Sequence, residues 1–198
     1  MLLLPLIAGC AGEKPPEKAE SAAPMDHSQM AGMSAPITIP ADANYTEGDV
    51  RFMQGMIAHH AQAIYMSKLA NMNGGNSRLK FLATKIDQSQ RVEIVQMQNW
   101  LLGNGQAAPD TMSYVGMTMT GMLTAAQLKE LEELKGAEFD KKFLDYMIMH
   151  HEGAIKMVKD LFAAPPSGQE VNVNVFANDV EQVQTAEIAA MHQLLADL

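Results

Sequence analysis

The stretch "DVRFMQGMIAHHAQAIYM", residues 49–66, is written a second time 91 positions later. Asp49, Phe52, Met56, Ile57, His59, His60, Ala63, Ile64 and Met66 recur as Asp140, Phe143, Met147, Ile148, His150, His151, Ala154, Ile155 and Met157, nine identities in an 18-residue window. The apolar positions repeat with a 3.6-residue period, which predicts helix. The helix after each copy repeats too, at a spacing of 94: Ala83, Gln90, Glu93, Ile94 and Met97 return as Ala177, Gln184, Glu187, Ile188 and Met191. Two hairpins, each with one apolar stripe, must cover those stripes, most simply with each other. The expected fold is all-α, a four-helix bundle of two duplicated helical hairpins with one short extra helix.

Local signals place the elements. Thr46 is suited to cap a first helix lasting to about Met72, and "NGGNS" at 73–77 ends it, with Ser77 suited to the next cap. A second helix is expected over about 77–102, and a capping-box pair, Thr124 and Gln127, opens a short helix to about Lys135. Gly136 interrupts, a long helix spans about 137–162, "AAPPSGQE" breaks it, and the last helix occupies about 174–196.

The front of the chain reads differently. "LLLPLIAGC" is a short apolar run ending in small residues, the pattern of a lipoprotein signal, although the basic n-region of such signals is missing. Residues 1–10 are read as this segment, with Cys10 the lipidated residue and membrane anchor, and the setting as periplasmic or cell-envelope. Residues 11–44 are rich in Pro, Ala, Glu and Ser, as expected of a disordered tether, and residues 45–198 form the bundle domain. One cysteine allows no disulfide framework and no thiolate metal cluster. A formal net charge of -9 excludes a broad phosphate-binding surface, so nucleic acid is not an expected partner. Cations are.

Methionine names the cation. There are 17, against 18 leucines, and a thioether suits soft ions such as Cu(I) while offering little to Mg, Ca or Mn. Met25, His27, Met30 and Met33 in the tether, and Met112, Met117, Met119 and Met122 in the long connection before the short helix, have no core-facing period and are read as metal ligands. Within the helices, Met56 shares a face with His59 and His60, and Met147 with His150 and His151. Counting from the hairpin turns sets His59 and His60 level with Gln90, and His150 and His151 level with Gln184. His60 and Gln90 then fall in mid-face, with His59 and Glu93 toward the edges. Gln90, Glu93, Gln184 and Glu187 are candidates to orient the imidazoles. Up-down-up-down threading would gather Met53, Met56, Met97, Met147, Met191 and His192 at one end, where the tether enters and the connection both leaves and returns.

The two repeated segments, "DVRFMQGMIAHHAQAIYM" and "FDKKFLDYMIMHHEGAIKM", with "GMLTAAQLKELEELKG" leading into the second, resemble the bacterial family known as domain of unknown function 305 over about residues 45–197. That resemblance implies a ferritin-like four-helix bundle, an extracytoplasmic setting, and binding of Cu(I), with silver as a mimic, through Met and His. The roles it implies are copper buffering, resistance or transfer to other copper-transfer proteins. One departure is that Leu144 stands where the first copy has Met53, so the halves need not bind equally.

Two other classes compete. An enzyme is not expected: a di-iron bundle needs inward Glu-x-x-His pairs, which the chain lacks, and "HHEGA" fails the His-Glu-x-x-His zinc pattern because Ile155 stands four after His151. The alternative is a helical interaction module whose His and Gln residues form a structural core with no metal role.

Overall fold

Thr46 opens the first helix as its sequence requires: its hydroxyl accepts from Asp49 N, and the Asp49 carboxylate accepts from Thr46 N. In the computed structural model, which describes residues 36–112 and 114–198, five helices follow. They are α1 (Glu47–Asn73), α2 (Ser77–Gly103), α3 (Ala125–Glu133), α4 (Gly136–Phe162) and α5 (Val171–Ala196). Among the described residues none is long and apolar enough to cross a membrane. The four long helices form the bundle, and Thr124 with Gln127 makes the box that starts α3. Two boundaries differ from expectation. Asn76, not Ser77, caps α2, its side chain accepting from the amides of Arg78 and Leu79. α5 starts three residues early because the Glu170 carboxylate accepts from Val173 N, a start masked by Val171, Val173 and Val175, whose branched side chains read as poor helix formers.

The threading also differs. Asp140, near the start of α4, accepts from the backbone N–H groups of Gly75 (2.9 Å) and Asn76 (2.8 Å) in the α1–α2 turn. Asp49, its copy in α1, accepts from Gly168 N at 2.6 Å in the α4–α5 turn. Each hairpin therefore holds the other's turn, and α4 begins beside the end of α1. The up-down-up-down expectation is thus corrected: α1 and α4 run antiparallel, related by an internal two-fold. Helices of this length are about 40 Å long, and the residues between α2 and α4, α3 included, can span that distance. They do so along α1: Gln54 Nε2 donates to Ala107 O, Gln62 exchanges two hydrogen bonds with Leu123, and Asn73 Nδ2 donates to Glu132 O. A single long crossover of this kind is the ferritin-like connection.

Antiparallel docking divides the core in two. One apolar cluster packs Phe52, Met53, Met56, Met97, Leu101, Val158 and Phe176; the other packs Met66, Leu79, Phe139, Phe143, Leu144, Met147 and Met191. Ile37, Ile39 and Ala43 pack against the first cluster from outside the helices. Each fully buried apolar side chain contributes about 1.5–3 kcal/mol.

Asp140 is 2% exposed and its oxygens are committed to backbone donors of another hairpin. Asp140→Ala is expected to destabilise the fold by about 1–3 kcal/mol, since it removes a buried charged acceptor from the backbone N–H groups of Gly75 and Asn76. The check is the urea midpoint, with Asp49→Ala moving it in the same direction.

Candidate metal centre

Between the two apolar clusters lies a polar layer. His59, His60, His150 and His151 are each 0% exposed, and Gln90 and Gln184 are 2% exposed. His60 Nε2 donates to Glu93 Oε2 at 2.6 Å, and His151 Nε2 donates to Glu187 Oε2 at 2.7 Å. The carboxylates reach in from α2 and α5. His59 and His150 meet near the internal two-fold, their ring centroids 3.9 Å apart and tilted by 42°. This corrects the expectation that His59 sits toward the edge of its face. The edge of an isolated hairpin becomes the centre of the bundle once α4 docks against α1.

The crossover closes the layer. Thr120 O accepts from His59 Nε2 at 3.2 Å, and Gly121, with φ +82°, lies against Gly153. A Cβ on Gly153 would stand 2.2 Å from Thr120 O, so only glycine lets the crossover lie this close to α4. Gly153 has Gln62 as its counterpart in the first copy, and Gln62 instead holds Leu123. A glycine inside one copy of a repeated helix was the available signal for this contact.

The layer is polar yet uncharged at its centre. Burial, then the neighbouring His60 imidazole, lowers the His59 pKa from 6.5 to about 3. Burial, then His59, pushes His150 well below the ordinary imidazole range, and a weak approach to the His59 backbone offsets little of it. Rings that are already neutral have no proton to lose on taking up a metal. Neither His150 nitrogen makes a well-formed hydrogen bond; nor do Nδ1 of His59, His60 and His151, or the side-chain amides of Gln90 and Gln184. Buried polar groups without protein partners cost about 1–3 kcal/mol each, and here they are concentrated in one layer.

Not every candidate ligand reaches it. Met56 and Met147, both 0% exposed, lie one turn before the histidine pairs of α1 and α4. The threading divides the other bundle methionines, correcting the expectation of one shared end: Met53 and Met97 belong to the first apolar cluster, and Met191 joins Met147 in the second. His192 is exposed on α5, more than a turn beyond Glu187. The crossover carries Met119 to α1, where its Sδ would lie 3.5 Å from a Cβ on Gly55, with Met157 Cε beside it at 3.4 Å. Met157 is thus a thioether beside Met119 that the sequence did not single out as a ligand. Met122 is 8% exposed at the crossover's end. Met112 and Met117 line a separate surface groove of about 850 Å³ with Tyr65 and Tyr114. Cys10, Met25, His27, Met30 and Met33 lie outside the described residues.

Among the described residues, no three His, Cys, Asp or Glu side chains are placed to hold an ion by themselves. The donors at hand are imidazole nitrogens and thioethers, which fit a soft ion. Hard cations, which take six or more oxygens, find no such set here.

The fold and this layer define a ferritin-like four-helix bundle of two fused hairpins around a buried histidine centre. The chain belongs to the DUF305 family (Domain of unknown function), whose model matches residues 49–195. Among solved structures, a DUF305 fragment from Deinococcus radiodurans is 30% identical, with a TM-score of 0.69 over 79% of this chain and 100% of that one. A DUF305 protein from Streptomyces coelicolor, described as secreted, is 29% identical, with a TM-score of 0.66 over 76% and 93%. CopM in its Cu(I)-bound form is 27% identical, with a TM-score of 0.60 over 75% and 96%. CopM is also known in Cu(II)-bound and Ag-bound forms of like similarity. No curated protein matches the chain.

Two outcomes follow from the layer. His59, neutral in the fold to about pH 3 but titrating near 6.5 when unfolded, makes the unfolded chain bind more protons between those values. Stability should therefore be full above pH 6.5 and fall on acidification, by up to about 1.4 kcal/mol per pH unit for each such ring. Urea titrations at a series of pH values read the slope, and His59→Gln should flatten it. Gly153→Ala should push the crossover off α4 and cost about 1–3 kcal/mol by overpacking, with faster amide exchange over residues 118–123.

Proposed function

We propose that this chain is an extracytoplasmic copper-binding protein that holds Cu(I), and Ag(I) as its mimic, by imidazole and thioether donors, for buffering, resistance or transfer rather than catalysis. The carrying observation is the layer of four fully buried histidines with unpaired ring nitrogens. Likeness to CopM, solved with copper and with silver, supports the choice of metal. The similarity to a family member described as secreted supports the compartment, and "IAGC" supports anchoring through Cys10.

His59, His60, His150 and His151 supply the nitrogens, and Met56, Met147 and Met119 are the thioethers nearest in the chain or through the crossover. Linear capture between His59 and His150 requires a ring to turn, because at 3.9 Å between centroids the rings overlap instead of meeting end to end. Glu93 and Glu187 bring negative charge to the edge of the layer, which favours a cation entering a medium of low dielectric. Met112 and Met117, on the surface groove, and the N-terminal Met25, Met30 and Met33 serve capture and hand-over to copper-transfer partners.

The structural alternative, a His/Gln network that fixes register, is disfavoured by Gln90 and Gln184. A network kept for structure has its members paired, and these amides are unpaired at both ends.

Anaerobic titration with a Cu(I) chelator as competitor is the test. The intact chain is expected to take up Cu(I) stoichiometrically without a partner, and replacing all four bundle histidines by asparagine should weaken the tightest site at least 100-fold. Retention of that site by the four-histidine variant would remove the centre from the reading.

A further inference from the structure

We infer that Glu93 and Glu187 are positioning residues that hold His60 and His151 with the ring proton on Nε2, so that Nδ1 is the nitrogen each ring offers to a metal. The role of Nδ1 as ligand atom rests on the copper reading above; the hold of the carboxylate on the ring does not.

The geometry is the same in both halves. Nε2 lies 2.6 Å from Glu93 Oε2 in one and 2.7 Å from Glu187 Oε2 in the other, and Nδ1 has no partner in either. A neutral imidazole has one donor and one acceptor nitrogen. Were the proton on Nδ1, the Nε2 lone pair would face a carboxylate and a buried N–H would face no acceptor. With the proton on Nε2 the short contact is a charge-assisted hydrogen bond. The imidazoles are 0% exposed while the carboxylate side chains are 20% and 15% exposed, so each Glu keeps contact with water as it reaches the buried ring.

His59 reaches the same state by another route. Its Nε2 faces Thr120 O, and a carbonyl can only accept. Three of the four rings are therefore fixed with Nδ1 bare, and His150 alone lacks an orienting partner. The carboxylate has a chemical effect as well: by drawing on the Nε2 proton it makes Nδ1 a stronger donor.

The experiment uses the full, metal-free chain with nitrogen-labelled histidine, read by long-range proton–nitrogen correlation, with His60 assigned by its loss in His60→Asn. Wild-type His60 and His151 are expected to carry their proton on Nε2. Glu93→Gln, whose amide oxygen still accepts, should keep that tautomer; Glu93→Ala should let His60 populate both, leaving His151 unchanged. In the anaerobic Cu(I) competition Glu93→Ala should then bind about 10–100-fold more weakly, with Glu93→Gln recovering most of the loss. Glu187 should mirror Glu93.

A proton on Nδ1 in the wild type, or an unchanged tautomer in a folded Glu93→Ala, overturns the inference. If Glu93→Ala does not fold, the wild-type and Glu93→Gln spectra decide. A wild-type chain with both protons on Nε2 that takes up no Cu(I) overturns the copper reading and supports the hold of the carboxylates.

Discussion

The reciprocal grip of Asp49 and Asp140 on the two hairpin turns sets everything else. Each carboxylate accepts from backbone N–H groups in the turn of the other hairpin, so neither half is complete alone. The pairing imposes an antiparallel α1–α4 contact. It also leaves one position in each copy facing its own counterpart, and that position is histidine.

A buried pair of like groups at a two-fold is unfavourable if either is charged. Burial, then neighbouring imidazoles (His60 for His59, His59 for His150), keeps both rings neutral. Their neighbours one position on, His60 and His151, differ in having a carboxylate each at the bundle surface. The layer thus has an uncharged middle and a margin where imidazole meets carboxylate. Set between two apolar clusters, it holds every unpartnered buried side-chain nitrogen and oxygen of the described residues except Ser67 Oγ.

The crossover breaks the symmetry. The repeat alone would make the halves equivalent, but a single strand of chain runs over α1, giving His59 a carbonyl and leaving His150 without an equivalent. Because antiparallel docking puts the start of α4 at the far end of the bundle, that strand must travel the length of α1. The same journey delivers Met119 beside Met157 at Gly55. Inequivalence of the halves, anticipated from Leu144 standing opposite Met53, comes more from this path than from that substitution.

The sequence determined the helices, their number and their pairing into hairpins, because a 3.6-residue apolar period, capping boxes and a near-identical repeat are local signals needing no knowledge of the rest. It also marked the four histidines and placed Gln90 and Gln184 level with them, with Glu93 and Glu187 flanking, since levels within a hairpin follow from counting back from its turn. Which end of one hairpin meets which end of the other was decided only by tertiary structure. Both threadings bury the same stripes, and the difference rests on hydrogen bonds from Asp49 and Asp140 to turns more than 60 residues away. For the same reason the depth of His59, the separation of Met56 from Met147 into two cores, and the arrival of Met119 could not be read from periodicity, which records the face a residue occupies and not what docks against it.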